Sequence, residues 1–283
     1  MRTPITYYGG KQSMLDEIIP MIPPHKIYCE PFFGGGAVFF AKRPSYLEVI
    51  NDTNDRLITF YEVMRDNFDE LNEMIRDTLH SEFIHLVARD IYYNRVEATK
   101  IQIAWSVWVL TNMSFAGSIY GGWKWDNGSS GGHSARVIHK YRDEFIQLKN
   151  RLQDVQISKK DALEVIRKRD TPETFFYLDP PYPGAFQAHY RGYTMKQFAD
   201  LLNVLSGLRG MFLLSNFPSQ TLKYFIVKNG WNFRIIKKQN KVSNFNKPKY
   251  KHEVLVWNYT IPDQTLFPFE SIIYNPKIIE QSW

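Results

Sequence analysis

Short apolar runs that each end in an acidic or amide residue recur along this chain, and this pattern constrains its fold most strongly. Lys26–Glu30 lies between two prolines, Tyr46–Ile50 ends at Asn51-Asp52, and Thr174–Leu178 ends at Asp179. Continuous apolar runs of this length are typical of strands that are buried on both faces. Because helical segments separate the runs, the pattern predicts an α/β sheet built from strand–helix–strand units.

The segments between these runs predict one sheet domain that is interrupted by a helical insert. Helical periodicity dominates from about Asp55 to Leu110 and returns at Tyr141–Leu152. The stretch Asn112–Ser134 is rich in glycine, serine and aromatic residues and is too long for an ordinary connection, so we expect it to be functional or mobile. Further strands are predicted at Val155–Ile157, Met211–Leu214, Phe233–Ile236 and Glu253–Trp257, and further helices at Met14–Met21, Val38–Lys42 and Met195–Leu208.

A glycine turn, Gly34-Gly35-Gly36, follows the first apolar run and opens a short apolar helix. Glycines at the carboxyl end of a strand let a ligand approach the backbone closely. Asp52 ends the next run about twenty residues later, where an acid can accept hydrogen bonds from two ribose hydroxyls. Because the spacing is not G-x-G-x-x-G, it favours a nucleoside-bearing cofactor without a required pyrophosphate. The alternative is a turn made only for packing, with an ordinary capping acid.

The segment Asp179-Pro180-Pro181-Tyr182, directly after an apolar run, is the most specific motif. An amino group on an aromatic ring is a poor nucleophile because its lone pair is delocalised into the ring. A carboxylate that accepts one N–H, with a backbone carbonyl that accepts the other, holds the nitrogen toward tetrahedral geometry. The prolines rigidify the turn and remove competing N–H donors, and Tyr182 offers a face for a flipped base. The alternative is a proline turn in which Tyr182 merely packs.

Together these motifs resemble the Dam-type DNA adenine methyltransferases, in the α arrangement of that family. The matching segments are Tyr7–Lys11, Glu30–Gly36, Asn51–Asn54 and Asp179–Tyr182, with Leu213–Asn216 and Glu253–Val256 as the closing strands. The resemblance covers most of the chain up to about Tyr259. It implies a Rossmann-like, seven-stranded methyltransferase sheet of the α/β class with a mostly helical DNA-recognition insert.

The resemblance also implies a division of the chain by function. Residues 1–55 and 155–260 would form a discontinuous catalytic domain that binds S-adenosylmethionine. Residues 56–154 would form the helical insert, with a target-recognition loop at about 112–136, and residues 261–283 would be a tail of unknown role. The implied reaction is a direct, in-line methyl transfer to the 6-amino group of adenine in duplex DNA, after base flipping. Its sequence specificity would be defined or relaxed, and the loop does not resemble that of GATC methylases.

Roles follow from the resemblance for individual residues. Tyr7 would lie against S-adenosylmethionine, Asp52 would bind its ribose, and Asp161 would contact its adenine. The cofactor-binding residues implied are Tyr7, Lys11, Glu30, Phe32, Gly34, Gly36, Asp52, Asp161 and Asp179, and the catalytic ones are Asp179, Pro180, Pro181 and Tyr182. Because direct transfer needs no covalent intermediate, the single cysteine, Cys29, is expected in the core.

Basic and aromatic residues outside the catalytic motifs predict the contacts with DNA. The chain carries 35 Lys and Arg against 29 Asp and Glu, a net charge of +6, which favours a polyanionic partner. Lysines from Lys237 to Lys251 are predicted in a loop between the last two strands, where they would clamp phosphates or form a solvated hairpin. The predicted DNA contacts are Asn112, Ser114, Trp123, Lys124, Arg136, Lys247, Lys249 and Lys251.

Composition excludes several classes of protein and leaves a few alternatives open. The hydrophobic share of 44% and charged share of 23% exclude a disordered or collagen-like chain, and one cysteine excludes a disulfide framework. The histidines lack metal spacing, so no metal is expected, and we place them at the surface or at helix caps. With no signal pattern or bilayer-spanning run, we expect a cytoplasmic, bacterial or phage-encoded protein without membrane contact, as a monomer or weak dimer.

Three other readings of the same motifs remain. The acceptor would be an RNA adenine or the 4-amino group of cytosine, or the chain would be a catalytically silent DNA-binding regulator of the same fold. A protein glutamine amide is disfavoured, because position 179 is aspartate rather than asparagine and the central insert is large.

Overall fold

The computed structural model describes residues 3–126, 145–183, 193–239 and 250–261. The chain divides into two compact units. The first unit comprises Met1–Pro20 and Phe33–Ala162, and the second comprises Met21–Phe32 and Leu163–Trp283. The predicted division into a catalytic domain and an insert follows function rather than compactness, and it stays a prediction.

The predicted α/β class is confirmed by a seven-stranded sheet. The strands are β1 (Ile27–Glu30), β2 (Leu47–Asn51), β3 (Val155–Ser158), β4 (Thr174–Leu178), β5 (Met211–Asn216), β6 (Asn232–Gln239) and β7 (Tyr250–Trp257). Each lies within three residues of its predicted start, because continuous apolar runs mark buried strands well. Within the described residues, no helix is both long and apolar enough to cross a membrane.

Five strands of the second unit follow the order β1-β4-β5-β7-β6. β1, β4 and β5 run parallel, whereas β7 runs antiparallel to both β5 and β6. Every residue of β4 is buried, as expected for a strand covered on both faces. Leu178 pairs with Leu214, so the carboxyl ends of β4 and β5 lie side by side. This register places Asp179 next to Ser215.

The first unit holds the parallel pair of β2 and β3, together with a group of helices. Asn51 at the end of β2 is paired with Ser158 at the end of β3. α6 is apolar on all sides and buried, and α3, α4 and α5 pack around it. The α-helices of the described residues are α1 (Leu15–Ile18), α2 (Ala37–Ala41), α3 (Asp55–Asp66), α4 (Phe68–Asp77), α5 (Glu82–Tyr92), α6 (Lys100–Met113), α7 (Phe145–Arg151), α8 (Ala162–Arg169), α9 (Met195–Ser206) and α10 (Gln220–Asn229).

A buried ionic cluster fastens α7 to β2 within the first unit. The carboxylate of Glu48 accepts hydrogen bonds from Lys42 and from the guanidinium of Arg151. Arg151 also donates to the backbone carbonyl of Phe39 at 3.2 Å and lies over that phenyl ring. Burial acts to raise the pKa of Glu48, but the hydrogen bonds from Arg151 and Lys42 outweigh it and lower the pKa. The cluster therefore holds a paired charge in the core.

The lysine-rich segment near the C-terminus is only in part the loop that the sequence predicted. β6 extends to Gln239, and Lys238 is paired with Lys251 of β7. The prediction that Lys237, Lys238 and Lys251 lie in a loop is therefore wrong, because backbone pairing continues past the apolar part of both strands. Lys247 and Lys249 lie outside the described residues.

Candidate active site

Asp52 is the first residue after β2 and lies buried at the carboxyl end of that strand. Its Oδ2 accepts a hydrogen bond from the backbone N–H of Gly34 at 2.9 Å, and its Oδ1 accepts one from Asn54 at 2.9 Å. Burial raises the pKa of Asp52, and the backbone hydrogen bonds oppose that rise. Each carboxylate oxygen has a second lone pair, so the group can also accept hydrogen bonds from a ligand's hydroxyls.

The glycine turn is shaped by its own aromatic neighbours. Gly34 and Gly36 have φ values of +49° and +66°, in the left-handed region that favours glycine. A Cβ on Gly36 would lie 2.5 Å from Cζ of Phe33, and one on Gly35 would lie 2.8 Å from Cβ of Tyr7. The need to pack against Tyr7 and Phe33 is therefore enough to explain why positions 35 and 36, respectively, are glycine. Contact between this turn and a cofactor stays a prediction.

A cavity of about 310 Å³ lies beside this turn in the first unit. Thr6, Tyr7, Gly10, Gln12 and Gly35 are among its lining residues. The volume falls at the lower end of the range for small-molecule sites, roughly 300–1,000 Å³. The predicted aromatic, Tyr7, therefore lines a space of suitable size for a ligand.

Two residues of the first unit support this region in ways that the sequence did not predict. The hydroxyl of Tyr61 on α3 donates to the carbonyl of Gly34 at 2.9 Å and holds the turn. Asn54 caps α3, because its Oδ1 accepts from the backbone N–H of Arg56 at 3.1 Å. An asparagine directly before an amphipathic helix is a recognisable cap signal, whereas nothing local to Tyr61 indicates its bond to a turn 27 residues away.

The two remaining cofactor candidates of the first unit differ in burial. Asp161 is exposed and follows β3. The side chain of Asn51 holds that segment, since it accepts from the backbone N–H of Lys160 at 2.9 Å and donates to its carbonyl at 3.0 Å. Lys11 is buried, and its Nζ donates to the carbonyl of Gly9 at 3.2 Å. Lys11 therefore stabilises its own glycine turn.

In the second unit, Asp179 and Tyr182 meet a buried carboxylate and a buried hydroxyl. The Oη of Tyr182 donates to Oε1 of Glu253 and lies 3.2 Å from Oδ1 of Asp179 and 3.4 Å from Oγ of Ser215. Ser215 also donates to Oε1 of Glu253, at 2.7 Å. Burial, followed by the charges of Asp179 and Glu253, raises the pKa of Tyr182 well above its usual value. Tyr182 therefore keeps its proton at neutral pH.

The ring of Tyr182 lies against a second aromatic side chain. Its centroid is 4.3 Å from that of Phe217, with the rings inclined by 59°. Asp179 is half-buried and Pro180 is buried, so the motif has one face toward the core. The sequence predicted the four residues from Asp179 to Tyr182 but missed Glu253, Ser215 and Phe217.

The predicted residues of the Glu30 segment belong to the second unit. Glu30 is buried at the end of β1 and accepts a hydrogen bond from Tyr28 at 2.7 Å. Phe32 is half-buried, with its ring edge-on to Tyr193 at 6.5 Å. Cys29 is buried, as predicted, and burial raises the pKa of its thiol. Cys29 is therefore a core residue whose thiol stays protonated and unreactive.

Asn112 and Ser114, which were predicted to contact DNA, both bond within the protein. Oδ1 of Asn112 accepts from the backbone N–H and the hydroxyl of Thr6, each at 3.1 Å. The hydroxyl of Ser114 is buried and lies 2.8 Å from Nε2 of His85. These bonds favour a supporting role for both side chains, and DNA contact stays a prediction. His85 is also buried, so its predicted place at the surface or a helix cap is wrong.

Trp123 and Lys124 follow in the same segment, and Arg136 lies outside the described residues. Trp123 forms a backbone bridge with Ser114, and its ring lies 5.2 Å from that of His80. The backbone N–H of Lys124 donates to the carbonyl of Met113 at 2.8 Å. The start of the segment is therefore anchored to the end of α6.

Comparison with known proteins places this arrangement in a family context. The family model for D12 class N6 adenine-specific DNA methyltransferases matches residues 7–244. The chain is similar to the Type II methyltransferase M1.LlaDCHI of Lactococcus lactis subsp. cremoris, with 25% identity over 279 residues, which cover 89% of this chain and 93% of that protein. It is also similar to the Type II methyltransferase M.MjaIII of Methanocaldococcus jannaschii, with 26% identity over 222 residues. The match covers 69% of this chain and 74% of that protein.

Among solved structures, an rRNA methylase from Streptococcus thermophilus aligns over 87% of this chain and 93% of that one. The sequence identity is 9% and the TM-score is 0.34, so this likeness carries no argument.

Proposed function

The chain belongs to the D12 class N6 adenine-specific DNA methyltransferase family, and on that premise we propose that it methylates the 6-amino group of adenine in duplex DNA after flipping the base out of the helix. The family and the similar methyltransferases make S-adenosylmethionine the methyl donor and DNA the substrate. Transfer is direct and in-line, so no covalent enzyme intermediate forms.

Residues of the first unit would hold the methyl donor. The buried carboxylate of Asp52, oriented by Gly34 and Asn54, has the lone pairs to accept from ribose hydroxyls. Tyr7 lines the adjacent cavity and offers an aromatic surface to the cofactor. An acceptor for ribose hydroxyls and an adjacent aromatic surface fit a nucleoside-bearing molecule. Once bound, S-adenosylmethionine supplies an electrophilic methyl group on a sulfonium.

Residues of the second unit would hold the acceptor amine. The carboxylate of Asp179 would accept one N–H of the adenine amino group, and the carbonyl of Pro180 would accept the other. These two acceptors hold the nitrogen toward tetrahedral geometry, so its lone pair no longer delocalises into the ring. As the nitrogen–carbon bond forms, the carbon–sulfur bond breaks, and the methylated amine then loses one proton to water.

One observation carries this proposal: Asp179 and the rigid Pro180-Pro181 turn stand at the carboxyl end of the fully buried strand β4. A strand covered on both faces fixes the turn that follows it, which is what an orienting carboxylate needs. Tyr182, with its hydroxyl anchored and one side against Phe217, would stack on the flipped base. Base flipping is needed because the amine of a paired adenine cannot reach a pocket in the protein.

Substitution of Asp179 tests the proposed chemistry. Wild-type protein should transfer radiolabelled methyl groups to unmethylated DNA, and Asp179→Ala should leave only background label. Glu173→Ala is a matched control, because Glu173 is an exposed acid of the same unit. An Asp179→Ala variant that is folded and as active as wild type would overturn the role of this carboxylate. Long-read sequencing of the modified DNA would identify the base and its context.

Base flipping and in-line transfer each have a separate test. A 2-aminopurine at the target position should gain fluorescence when the protein binds, and unchanged fluorescence would contradict flipping. A donor with an isotopically chiral methyl group should transfer it with inversion. Net retention would mean two successive transfers and a covalent intermediate.

Basic residues would hold the phosphates of the DNA. We assign phosphate contacts to Lys247, Lys249 and Lys251, because counterion release drives such binding. Lys124 and Arg136 are assigned to groove or base contacts. Changing Lys247, Lys249 and Lys251 together to glutamine should weaken binding. It should also reduce the slope of log affinity against log salt by up to about three, roughly one per lost contact. Unchanged affinity across several salt concentrations would exclude a phosphate clamp.

A further inference from the structure

Glu253 on β7 matches the family only as part of a closing strand and was assigned no role in the site, yet its side chain accepts a hydrogen bond from the hydroxyl of Tyr182. It sits on the strand that runs antiparallel to β5, and it is 9% exposed. Its Oε1 accepts hydrogen bonds from the hydroxyl of Tyr182 and, at 2.7 Å, from the fully buried hydroxyl of Ser215. Glu253 therefore accepts hydrogen bonds from two hydroxyl groups near the carboxyl ends of β4 and β5.

The hydroxyl of Tyr182 has one proton and several acceptors within reach. Oε1 of Glu253 is nearest, whereas Oδ1 of Asp179 lies at 3.2 Å. Hydrogen bonds between hydroxyls and carboxylates are strongest at about 2.5–2.7 Å and weaken with distance. The proton is therefore directed to Glu253, and only weakly to Asp179.

We propose that Glu253 is a positioning residue that draws the hydroxyl proton of Tyr182 away from Asp179. This inference rests on the proposed function, in which Asp179 accepts an N–H from the target amine. If the tyrosine donated fully to Oδ1 of Asp179, it would compete with that amine and weaken the acceptor. Glu253 thus maintains the acceptor strength of Asp179 and fixes the hydroxyl end of the ring that stacks on the base.

Tyr182 keeps its hydroxyl proton under assay conditions. What affects Asp179 is therefore which carboxylate, Glu253 or Asp179, accepts that proton in a hydrogen bond. Burial raises the pKa of Tyr182 well above its usual value, and the charges of Asp179 and Glu253 raise it further. Without Glu253, the acceptors described above for the Tyr182 hydroxyl are the carboxylate of Asp179 and the hydroxyl of Ser215. The tyrosine would then donate to Asp179.

The first test measures single-turnover methyl transfer with saturating DNA and S-adenosylmethionine. Glu253→Ala should slow transfer roughly 10- to 100-fold, the effect of one hydrogen bond to a charged group that is needed in the transition state. The Kd for S-adenosylmethionine should stay within about twofold, because Glu253 acts on the acceptor side. Glu253→Gln keeps an acceptor oxygen and the side-chain size, so it should retain more activity than Glu253→Ala. Equal rates for wild type and Glu253→Ala would overturn the proposal.

The decisive test adds Tyr182→Phe to the Glu253→Ala variant. Phenylalanine keeps the ring but has no proton that can occupy Asp179. The double variant should therefore react faster than Glu253→Ala, by about threefold or more, which is the size expected for relief of one weak hydrogen bond. A purely structural role for Glu253 predicts a double variant that is equal to or slower than Glu253→Ala, and that result would refute the inference.

Two further variants keep the outcomes separate. Asp179→Ala must abolish transfer; if it does not, the proposed function fails, whatever happens at Glu253. Glu173→Ala should match wild type, because Glu173 is exposed and its ion pair with the exposed Lys26 lies at the surface. If Glu253→Ala unfolds below the assay temperature, the same comparison is made between Glu253→Leu, which fills the space but has no acceptor oxygen, and Glu253→Leu with Tyr182→Phe, and a faster double variant is again required.

Discussion

Replacement of Asp52 by alanine should weaken binding of S-adenosylmethionine strongly and lower the stability of the fold by a smaller amount. Asp52 would accept hydrogen bonds from two ribose hydroxyls, and hydrogen bonds to a charged group contribute about 1.5 kcal/mol each at the lower end. Loss of both amounts to about 3 kcal/mol, or roughly a 150-fold increase in Kd. Isothermal titration calorimetry with S-adenosylmethionine would measure this change directly.

The same substitution has a smaller, separate effect on stability. The backbone N–H groups of Gly34 and Asn54 each lose the carboxylate oxygen that they contact at 2.9 Å. At about 1 kcal/mol per lost bond, the free energy of unfolding should fall by about 2 kcal/mol. Asp55→Asn is the matched control, since Asp55 is an exposed acid three residues further along, and its affinity should equal that of wild type. A folded Asp52→Ala variant with a Kd within threefold of wild type would refute the role of Asp52 at the ribose.

Three other substitutions test the framework of the first unit. Glu48→Ala leaves Lys42 and Arg151 buried without their carboxylate, so urea unfolding should show a loss of about 3–5 kcal/mol; a loss under 1 kcal/mol would contradict the buried pairing. Burial, then the charge of Arg89, lowers the pKa of His85 to about 4, below its usual 6.5. Because the unfolded chain then binds the proton more tightly, stability should fall as the pH drops from about 6.5 to about 4, by up to about 3 kcal/mol. His85→Gln should lose that dependence, and an unchanged pH profile would exclude His85 as its source. Gly36→Ala places a Cβ 2.5 Å from the ring of Phe33 at a φ of +66°, so it should cost about 2–4 kcal/mol in thermal or urea unfolding, and a neutral effect would argue against that packing.

Strand positions were predictable because the signal for a buried strand is local. The run Thr174–Leu178 is mostly apolar, is buried at every position and stops at Asp179, which marks both the strand and its functional end. Predictions were less accurate where polar side chains continue a strand. β6 and β7 extend past their apolar parts to Gln239 and Tyr250, so Lys237, Lys238 and Lys251 were wrongly assigned to a loop.

The glycine turn shows a different limit of sequence reasoning. Consecutive glycines indicate that side chains would clash there, but they do not reveal which atoms occupy the space. The structure shows that Phe33 and Tyr7 fill the positions where Cβ atoms of Gly36 and Gly35 would lie. The burial of His85 could not be predicted either, because its partner Ser114 is 29 residues away.

The sequence by itself determined the α/β class, the acids at the ends of the strands, and the Asp179–Tyr182 motif, since each depends on residues that are neighbours in the chain. Only the tertiary structure decided which distant residues these strand-end residues contact. Tyr182 meets Glu253 across 71 residues, and Asn51 meets Lys160 across 109. Hydrogen bonds act over about 3 Å in space, so which distant side chains come that close depends on strand order and register. Strand order and register cannot be read from any local pattern of residues.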